Sequence, residues 1–359
     1  MATREASQSY PGMGPRRPPG RRLLAVGAVL LAVCVVAYGV VTFAVYDGLS
    51  RRVACAYTGS PDAFATDVAH GLKRTYPIDV RPYLMPVPQD VTFASRDPGM
   101  GSARLAGWWI PADEASASAA APAVVVVHGV QACRREPSIL LAAGMLHRNG
   151  YSVFLLDLRD HGDSGGDDGR FAGGTEEYLD VLGAWDWVRA QGVPPARIGI
   201  AGFSFGSATT MIAAGEEPLV PAAWVDSGYP RIQAALDEFL QDHGPFPAPI
   251  STLIVPGAAL VARVVAGDDI LRFDPVEELA RLGGRSIAFV HGAADATLPA
   301  AWATELRDAA VSAGATSPAV WVVPAAGHTE AIYLATAEYE ARLVSFFDGT
   351  IGPGATAGP

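Results

Sequence analysis

The sequence predicts an α/β fold: an eight-stranded, mostly parallel sheet with a helical cap insertion, preceded by one N-terminal transmembrane helix. Three observations carry this prediction. From residue 123 onward, short apolar runs alternate with longer segments of helical period, the pattern of a parallel sheet joined by crossover helices. The run Ala123-Val124-Val125-Val126-Val127 is apolar without interruption, as a strand buried on both faces must be. Finally, Gly202-Phe203-Ser204-Phe205-Gly206 stands between a strand-like run at 197–201 and a small-residue helical pattern at 207–214. Strand, sharp turn and helix form the context that lifts a serine above the end of a sheet, where a bare Gly/Ser-rich loop would not.

Taken in order, residues 1–22 are rich in Pro, Gly, Arg and Ser, a composition that predicts disorder. Residues 23–46 carry no charged side chain, and at 1.5 Å per residue they are long enough to cross a hydrocarbon core of about 30 Å. Arg16, Arg17, Arg21 and Arg22 flank this stretch on one side, against Asp47, Arg51 and Arg52 on the other. The excess of arginine places the N-terminus in the cytoplasm and the rest of the chain outside it. Three other readings compete with an uncleaved single-pass anchor. The run is long for a cleaved signal peptide. Leu31-Ala32-Val33-Cys34 resembles an acylation box but has the bulky Val33 where a small residue belongs, and Arg21-Arg22-Leu23-Leu24 is a weak twin-arginine signal that would change only the export route.

Residues 47–89 contain Pro61, Pro77, Pro82, Pro86 and Pro88 and read as a membrane-proximal connector with a short helix at 63–74. The main domain spans 90–348. A hairpin is expected from 90–95 and 104–110, then strands at 123–127, 152–157, 197–202, 222–226, 286–291 and 319–323. Helices are expected at 137–149, 175–191, after the 202–206 turn, 299–312 and 330–347. Residues 349–359 are a tail. The insertion at about 227–285 contains an apolar stretch, 250–265, interrupted by Pro256 and Arg263. A second membrane span and a cap helix both fit its length, and the proline, glycine and arginine favour the cap.

Net charge is −11 overall. Because residues 1–22 hold five arginines and one glutamate, the remainder carries 21 basic against 36 acidic residues, or −15. Such a surface repels a phosphate backbone, so no nucleic-acid partner is expected. The three cysteines, Cys34, Cys55 and Cys133, form no C-x-x-C pair and no cluster with histidine. No metal and no cofactor are therefore expected. A Cys55–Cys133 bridge is open to an oxidised chain, but nothing in the sequence brings the two together, and unpaired thiols are the expectation.

Ligands of such sheets meet the carboxyl ends of the strands. The reactive side chains that follow strand ends are few. Ser204 follows the strand at 197–202, Asp295 the strand at 286–291, and His328 the strand at 319–323. Serine is a poor nucleophile until a histidine takes its proton, and a carboxylate holds that imidazole in the right tautomer. Asp226, which ends the strand at 222–226, is an alternative acid, and Asp157 a third. His70, His128, His147, His161, His243 and His291 fit the base role less well by position, His128 and His291 reading as strand stops. An oxyanion needs two amide donors. The residue after the nucleophile, Phe205, supplies one, and Val130 in the loop opened by His128-Gly129 the other.

The residues V-V-V-H-G at 125–129, D-L-R-D-H-G-D-S-G-G at 157–166, G-F-S-F-G at 202–206, H-G-A-A-D at 291–295 and G-H-T at 327–329 together resemble the α/β-hydrolase superfamily, in particular its serine aminopeptidase-like and monoacylglycerol-lipase-like branch. The resemblance covers about residues 90–348. It implies an ester, thioester or amide as the bond cleaved and a small-molecule acyl substrate. The family pattern usually has glycine where Asp160 stands, a difference expected to alter a surface loop. The reading is a membrane-anchored serine esterase, held at the membrane through residues 23–46. A peptidase or amidase is the alternative within enzymes, and a non-catalytic binding protein the alternative outside them. Oligomeric state is not legible.

Overall fold

The computed structural model describes residues 19–51, 54–66, 76–112, 121–166, 168–244 and 246–354. Residues 1–18, most of the expected helix at 63–74, Arg52, His70 and the last five residues lie outside these. Where the expected helix is described, at 63–66, the chain is not helical. In chain order the elements are α1 (Pro19–Ser50), β1 (Gln89–Phe93), β2 (Leu105–Ile110), β3 (Ala123–Val127), α2 (Pro137–Arg148), β4 (Ser152–Leu156), α3 (Glu177–Ala190) and β5 (Ile198–Phe203). They continue with α4 (Phe205–Glu216), β6 (Ala222–Asp226), α5 (Ile232–His243), α6 (Ala248–Val265), α7 (Pro275–Glu278), β7 (Ser286–Gly292), α8 (Ala301–Ser312), β8 (Thr316–Val323), α9 (Ala331–Leu334) and α10 (Thr336–Thr350).

One eight-stranded sheet has the order β1-β2-β4-β3-β5-β6-β7-β8. The β1/β2 and β2/β4 pairs are antiparallel and all others parallel. Alternate residues of the valine run serve two cores. Val125 and Val127 face Trp185 and Val188 of α3 on one side, while Val124 and Val126 face α2 and α10 on the other. From β3 the chain moves to β4 on one flank and then returns to β5 on the other, so the strand order reverses beside β3. A crevice opens there at the carboxyl ends of β3 and β5, the position at which such sheets take ligands.

The insertion between β6 and β7 divides. Helices α5 and α6 stand over the strand ends, whereas α7 packs back on α4. Proline does not interrupt α6: the helix runs through Pro256, because Ile254 and Val255 pack with Leu240 of α5, and Ala258 and Ala262 with Tyr46 of α1. These contacts outweigh the one ladder hydrogen bond that a proline removes.

Helix α1 is long and apolar enough to cross a membrane over Leu23–Ser50, and α6 meets the same criterion while lying partly buried against its neighbours. Residues 23–41 are exposed throughout. Beyond them α1 is part of the folded body and continues four residues past the predicted end. Its last turns are fastened by Arg170, which reaches Asp47 at 2.6 Å and Ser50 Oγ at 2.9 Å, and by Phe171 N donating to Ser50 O at 2.9 Å. Contact with α6 is close because Gly257 leaves no side chain against Tyr38 and Thr42, the small-residue approach common between apolar helices. Tyr38 Oη donates to Leu253 O at 2.7 Å.

Two local expectations are overturned. Cys55 and Cys133 form a disulfide, tying the connector to the loop after β3. The pairing was illegible because the two thiols lie 78 residues apart and meet only once the connector crosses that loop, where Tyr57, Ala132 and Cys133 pack together. Asp160 is not on a surface loop. It is buried, with φ of 56°, the left-handed conformation that explains glycine in the family pattern and that aspartate is among the few residues to tolerate. Its carboxylate fills the space that Gly166 leaves open.

Candidate active site

The site begins with a strained turn. Ser204 has φ of 53° and ψ of −120°, between the end of β5 and the first turn of α4. A Cβ at Gly202 would strike the carbonyl of Gly206, and one at Gly206 those of Val127 and His128, so the strand and helix cross only where both residues are glycine. The strained conformation is held from outside: Ser204 N donates to Asp226 O at 2.8 Å, and Ser207 Oγ bonds the carbonyls of Gly202 and Asp226 at 2.7 and 2.6 Å.

Ser204 Oγ lies 2.7 Å from His328 Nε2, and His328 Nδ1 lies 2.8 Å from Asp295 Oδ2. The structure thus brings together three residues from the ends of β5, β7 and β8. The loop carrying His328 is set by Gly327 N donating to Glu330 Oε2 at 2.9 Å and Thr329 N to Ser227 Oγ at 3.0 Å. Asp295 is enclosed, and its Oδ1 accepts the amides of Thr297 and Leu298 at 3.0 and 2.9 Å. Burial alone would raise its pKa, but hydrogen bonds from His291 and His328 and the charge of His328 prevail and hold the carboxyl well below its usual range. For His328 burial works toward the neutral form. The hydrogen bond and charge of Asp295, with smaller contributions from Asp226 and Glu136, reverse this and raise its pKa above the ordinary value.

The other candidates are placed elsewhere. Asp226 accepts from Tyr339 Oη at 2.7 Å and Ser227 Oγ at 2.9 Å, and its pKa is raised by burial. Asp157 pairs with the Arg134 guanidinium and accepts Arg134 N at 2.7 Å, fixing the far end of the loop after β3. His128 accepts Leu158 N on Nε2 at 3.1 Å and faces Gly129 O through Nδ1 at 2.7 Å. Burial and the neighbouring His161 push its pKa down to about 3, so it is a neutral brace. His161 meets Arg159 O at 2.7 Å through Nδ1, and His147 meets Pro111 O at 3.0 Å. His291 was underrated by the sequence. Its Nε2 faces Asp295 Oδ2 at 3.1 Å and Leu298 O at 3.0 Å, and the four-residue spacing was the available signal.

A Cβ at Gly129 would lie 3.4 Å from Ser204 Cβ and 3.8 Å from Ser204 Oγ, so the Gly129-Val130 loop passes directly beside the serine. Phe205 opens α4, where the first amides have no intrahelical acceptor. Both Val130 and Phe205 line a cavity of about 370 Å³ together with Ser204 and His328. Its walls also include Tyr46, Leu49 and Ser50 of α1, Leu236, Phe239 and His243 of α5, Ala258 of α6, and Tyr57 and Glu136. Sequence reasoning missed the contribution of α1 and Tyr57, since neither follows a strand end. No group of histidine, cysteine and acidic residues that could hold a metal occurs among the described residues.

No protein-family model matches the chain. It is 30% identical over 174 residues to the thiohydrolase aneE of Aspergillus aculeatus, a match covering 48% of this chain and 52% of that protein. The chain thus spans about half the length of this curated relative. Among solved structures it is similar to the Pyrococcus furiosus esterase Pf2001, with a TM-score of 0.59 and 19% identity over 77% of this chain and 97% of that one. The chain has the α/β-hydrolase fold. A second α/β-hydrolase neighbour is the Pyrococcus horikoshii acylaminoacyl peptidase, with a TM-score of 0.54 and 17% identity over 73% of this chain and 41% of that one. Within the α/β-hydrolase architecture, the helices above the sheet are here joined by the end of the apolar N-terminal helix, which closes one side of the cavity.

Proposed function

We propose that this chain is a membrane-anchored serine hydrolase that cleaves an acyl ester or thioester through an acyl-enzyme intermediate. The observation that carries this reading is the unbroken series from Ser204 Oγ through both nitrogens of His328 to Asp295, with links of 2.7 and 2.8 Å. His328 Nε2 takes the proton as Ser204 Oγ attacks the acyl carbon, and Asp295 stabilises the imidazolium and fixes its tautomer. The amides of Val130 and Phe205 receive the oxyanion. His328 then protonates the departing alcohol or thiol, and a water activated by the same histidine releases the acid and frees Ser204. The thiohydrolase relative supports a thioester as readily as an ester.

Residues 23–46 form the anchor in this reading, with the N-terminus in the cytoplasm and the catalytic domain outside. The Cys55–Cys133 disulfide supports that side, because such bonds persist in oxidising compartments.

A peptidase or amidase is the second reading, and Glu136 favours it. Glu136 lines the cavity, where its carboxylate would pair with the ammonium of an aminoacyl substrate. Burial pushes its pKa up to about 7, so the charge forms fully only when a cation enters beside it. The decisive experiment is labelling by a fluorophosphonate followed by turnover of p-nitrophenyl esters and aminoacyl amides. Labelling should vanish in Ser204→Ala, with kcat reduced by several orders of magnitude. Undiminished labelling of that variant would sink the proposal.

A further inference from the structure

One wall of the cavity is built by the end of the apolar helix α1. Tyr46, Leu49 and Ser50 line the same cavity as Ser204 and His328, with Leu236 and Phe239 of α5 and Ala258 of α6 beside them. The exposed part of α1, residues 23–41, reaches about 28 Å at 1.5 Å per residue, which matches a hydrocarbon core of about 30 Å. Tyr38, near the end of that span, bonds Leu253 O of α6, which sets α6 beside the anchor at the membrane surface.

The face that α6 turns away from the protein is apolar. Leu253, Leu260 and Val264 are 67%, 63% and 76% exposed and share one side of the helix, with the exposed Arg263 at its edge. A soluble protein rarely shows such a patch. Here it continues the surface of an adjoining helix long enough to span a bilayer, and that continuity identifies lipid as what covers it.

We propose that the substrate is an acyl ester resident in the bilayer, whose chain enters the cavity along the seam between the last turns of α1 and the cap helices α5 and α6 while the outer face of α6 rests in lipid. The inference builds on the serine-hydrolase reading and its anchor. Leu49 and Tyr46 are then specificity-determining residues that bound the acyl chain, and the cap helix is a second membrane contact.

The test uses the full chain reconstituted in phosphatidylcholine vesicles with two substrates, p-nitrophenyl acetate in the buffer and 4-methylumbelliferyl oleate within the vesicles. The triple variant Leu253→Asp, Leu260→Asp, Val264→Asp should keep the acetate rate within twofold, since none of these residues lines the cavity, and lower the oleate-to-acetate rate ratio at least tenfold. If the triple variant loses acetate activity, Leu253→Asp alone takes its place with the same expectation. Leu49→Trp, which fills the seam, should lower the same ratio at least tenfold. A ratio left unchanged by either variant overturns the inference while leaving the serine-hydrolase reading intact. Acetate hydrolysis that is absent, or that survives Ser204→Ala, overturns that reading and this inference with it.

Discussion

His291 Nε2 lies 3.1 Å from Asp295 Oδ2, the same oxygen that faces His328 Nδ1 at 2.8 Å. With the other oxygen held by two amides, the Asp295 carboxylate has one orientation available, and in the proposed mechanism His291 is a positioning residue. Loss of a hydrogen bond to a charged group costs about 1.5–3 kcal/mol. His291→Phe should therefore lower kcat about tenfold or more, and His291→Gln, which keeps a donor near the same place, should recover much of the loss. Equal activity in the two variants would reduce His291 to a packing role.

Two carboxylates compete for the acid role, and substitution separates them. Asp295→Asn should lower kcat on the order of 10³–10⁴-fold by presenting the wrong hydrogen-bonding partner to His328. Asp226→Asn should cost stability, through its bond with Tyr339, with a far smaller effect on kcat. Kinetics and thermal melts of both variants check this, and the reverse ranking would move the acid to the end of β6.

The raised pKa of His328 sets the direction of the pH profile. Its neutral form accumulates only as pH passes above the ordinary histidine value of about 6.5, so kcat/KM should climb through neutrality. Stability responds with opposite signs at the two ends. Because the folded pKa of His328 is raised, its contribution is complete below about pH 6.5 and disappears as pH rises through the folded value. The depressed carboxyl of Asp295 contributes above about pH 4 and is lost as acid titrates it. An activity optimum near pH 4 would contradict the base assignment.

The disulfide closes a separation of 78 residues, for which chain entropy predicts a stabilisation of about 4 kcal/mol. Reduction, or the paired change Cys55→Ala and Cys133→Ala, should lower the melting temperature by several degrees and slow turnover, because the bond secures the loop that carries Val130. After denaturation in detergent without reductant a maleimide should label Cys34, which is unpaired, and no second site. Labelling of two further thiols without reductant would contradict the pairing.

Membrane attachment predicts that the protein sediments with membranes, resists high salt and is released by detergent, whereas a peripheral protein responds to salt. A periplasm- or surface-dependent reporter fused after Pro359 should be active. Activity from a cytoplasm-dependent reporter would reverse the orientation.

The sheet was legible because its strands are local runs of β-branched residues, and the eight-stranded reading matches the structure. Ser204, Asp295 and His328 stood out because each follows a strand end within a short loop, where chain position nearly determines spatial position. What escaped is long-range. Cys55 meets Cys133, Arg170 meets Asp47, and Leu49 meets the cavity only after the chain folds back across the sheet. None of these contacts leaves a period or a spacing to read. The helix at 250–265 was legible as apolar, yet its continuity through Pro256 depended on partners supplied by two other helices. The predicted final helix at 330–347 is two, α9 and α10, parted at Ala335 with φ of −124° and ψ of 42°.

The Arg170 clamp on the end of α1 has a mechanical consequence. Clamped on both sides of its last turn, α1 is a rigid post, not a tether, and the catalytic head keeps one height and one facing relative to whatever plane the post crosses. Proteolytic shedding at the post would therefore do more than release a soluble copy. A cut just after Ser50 would strip Tyr46, Leu49 and Ser50 from the cavity wall, so the freed head would be an enzyme of altered selectivity.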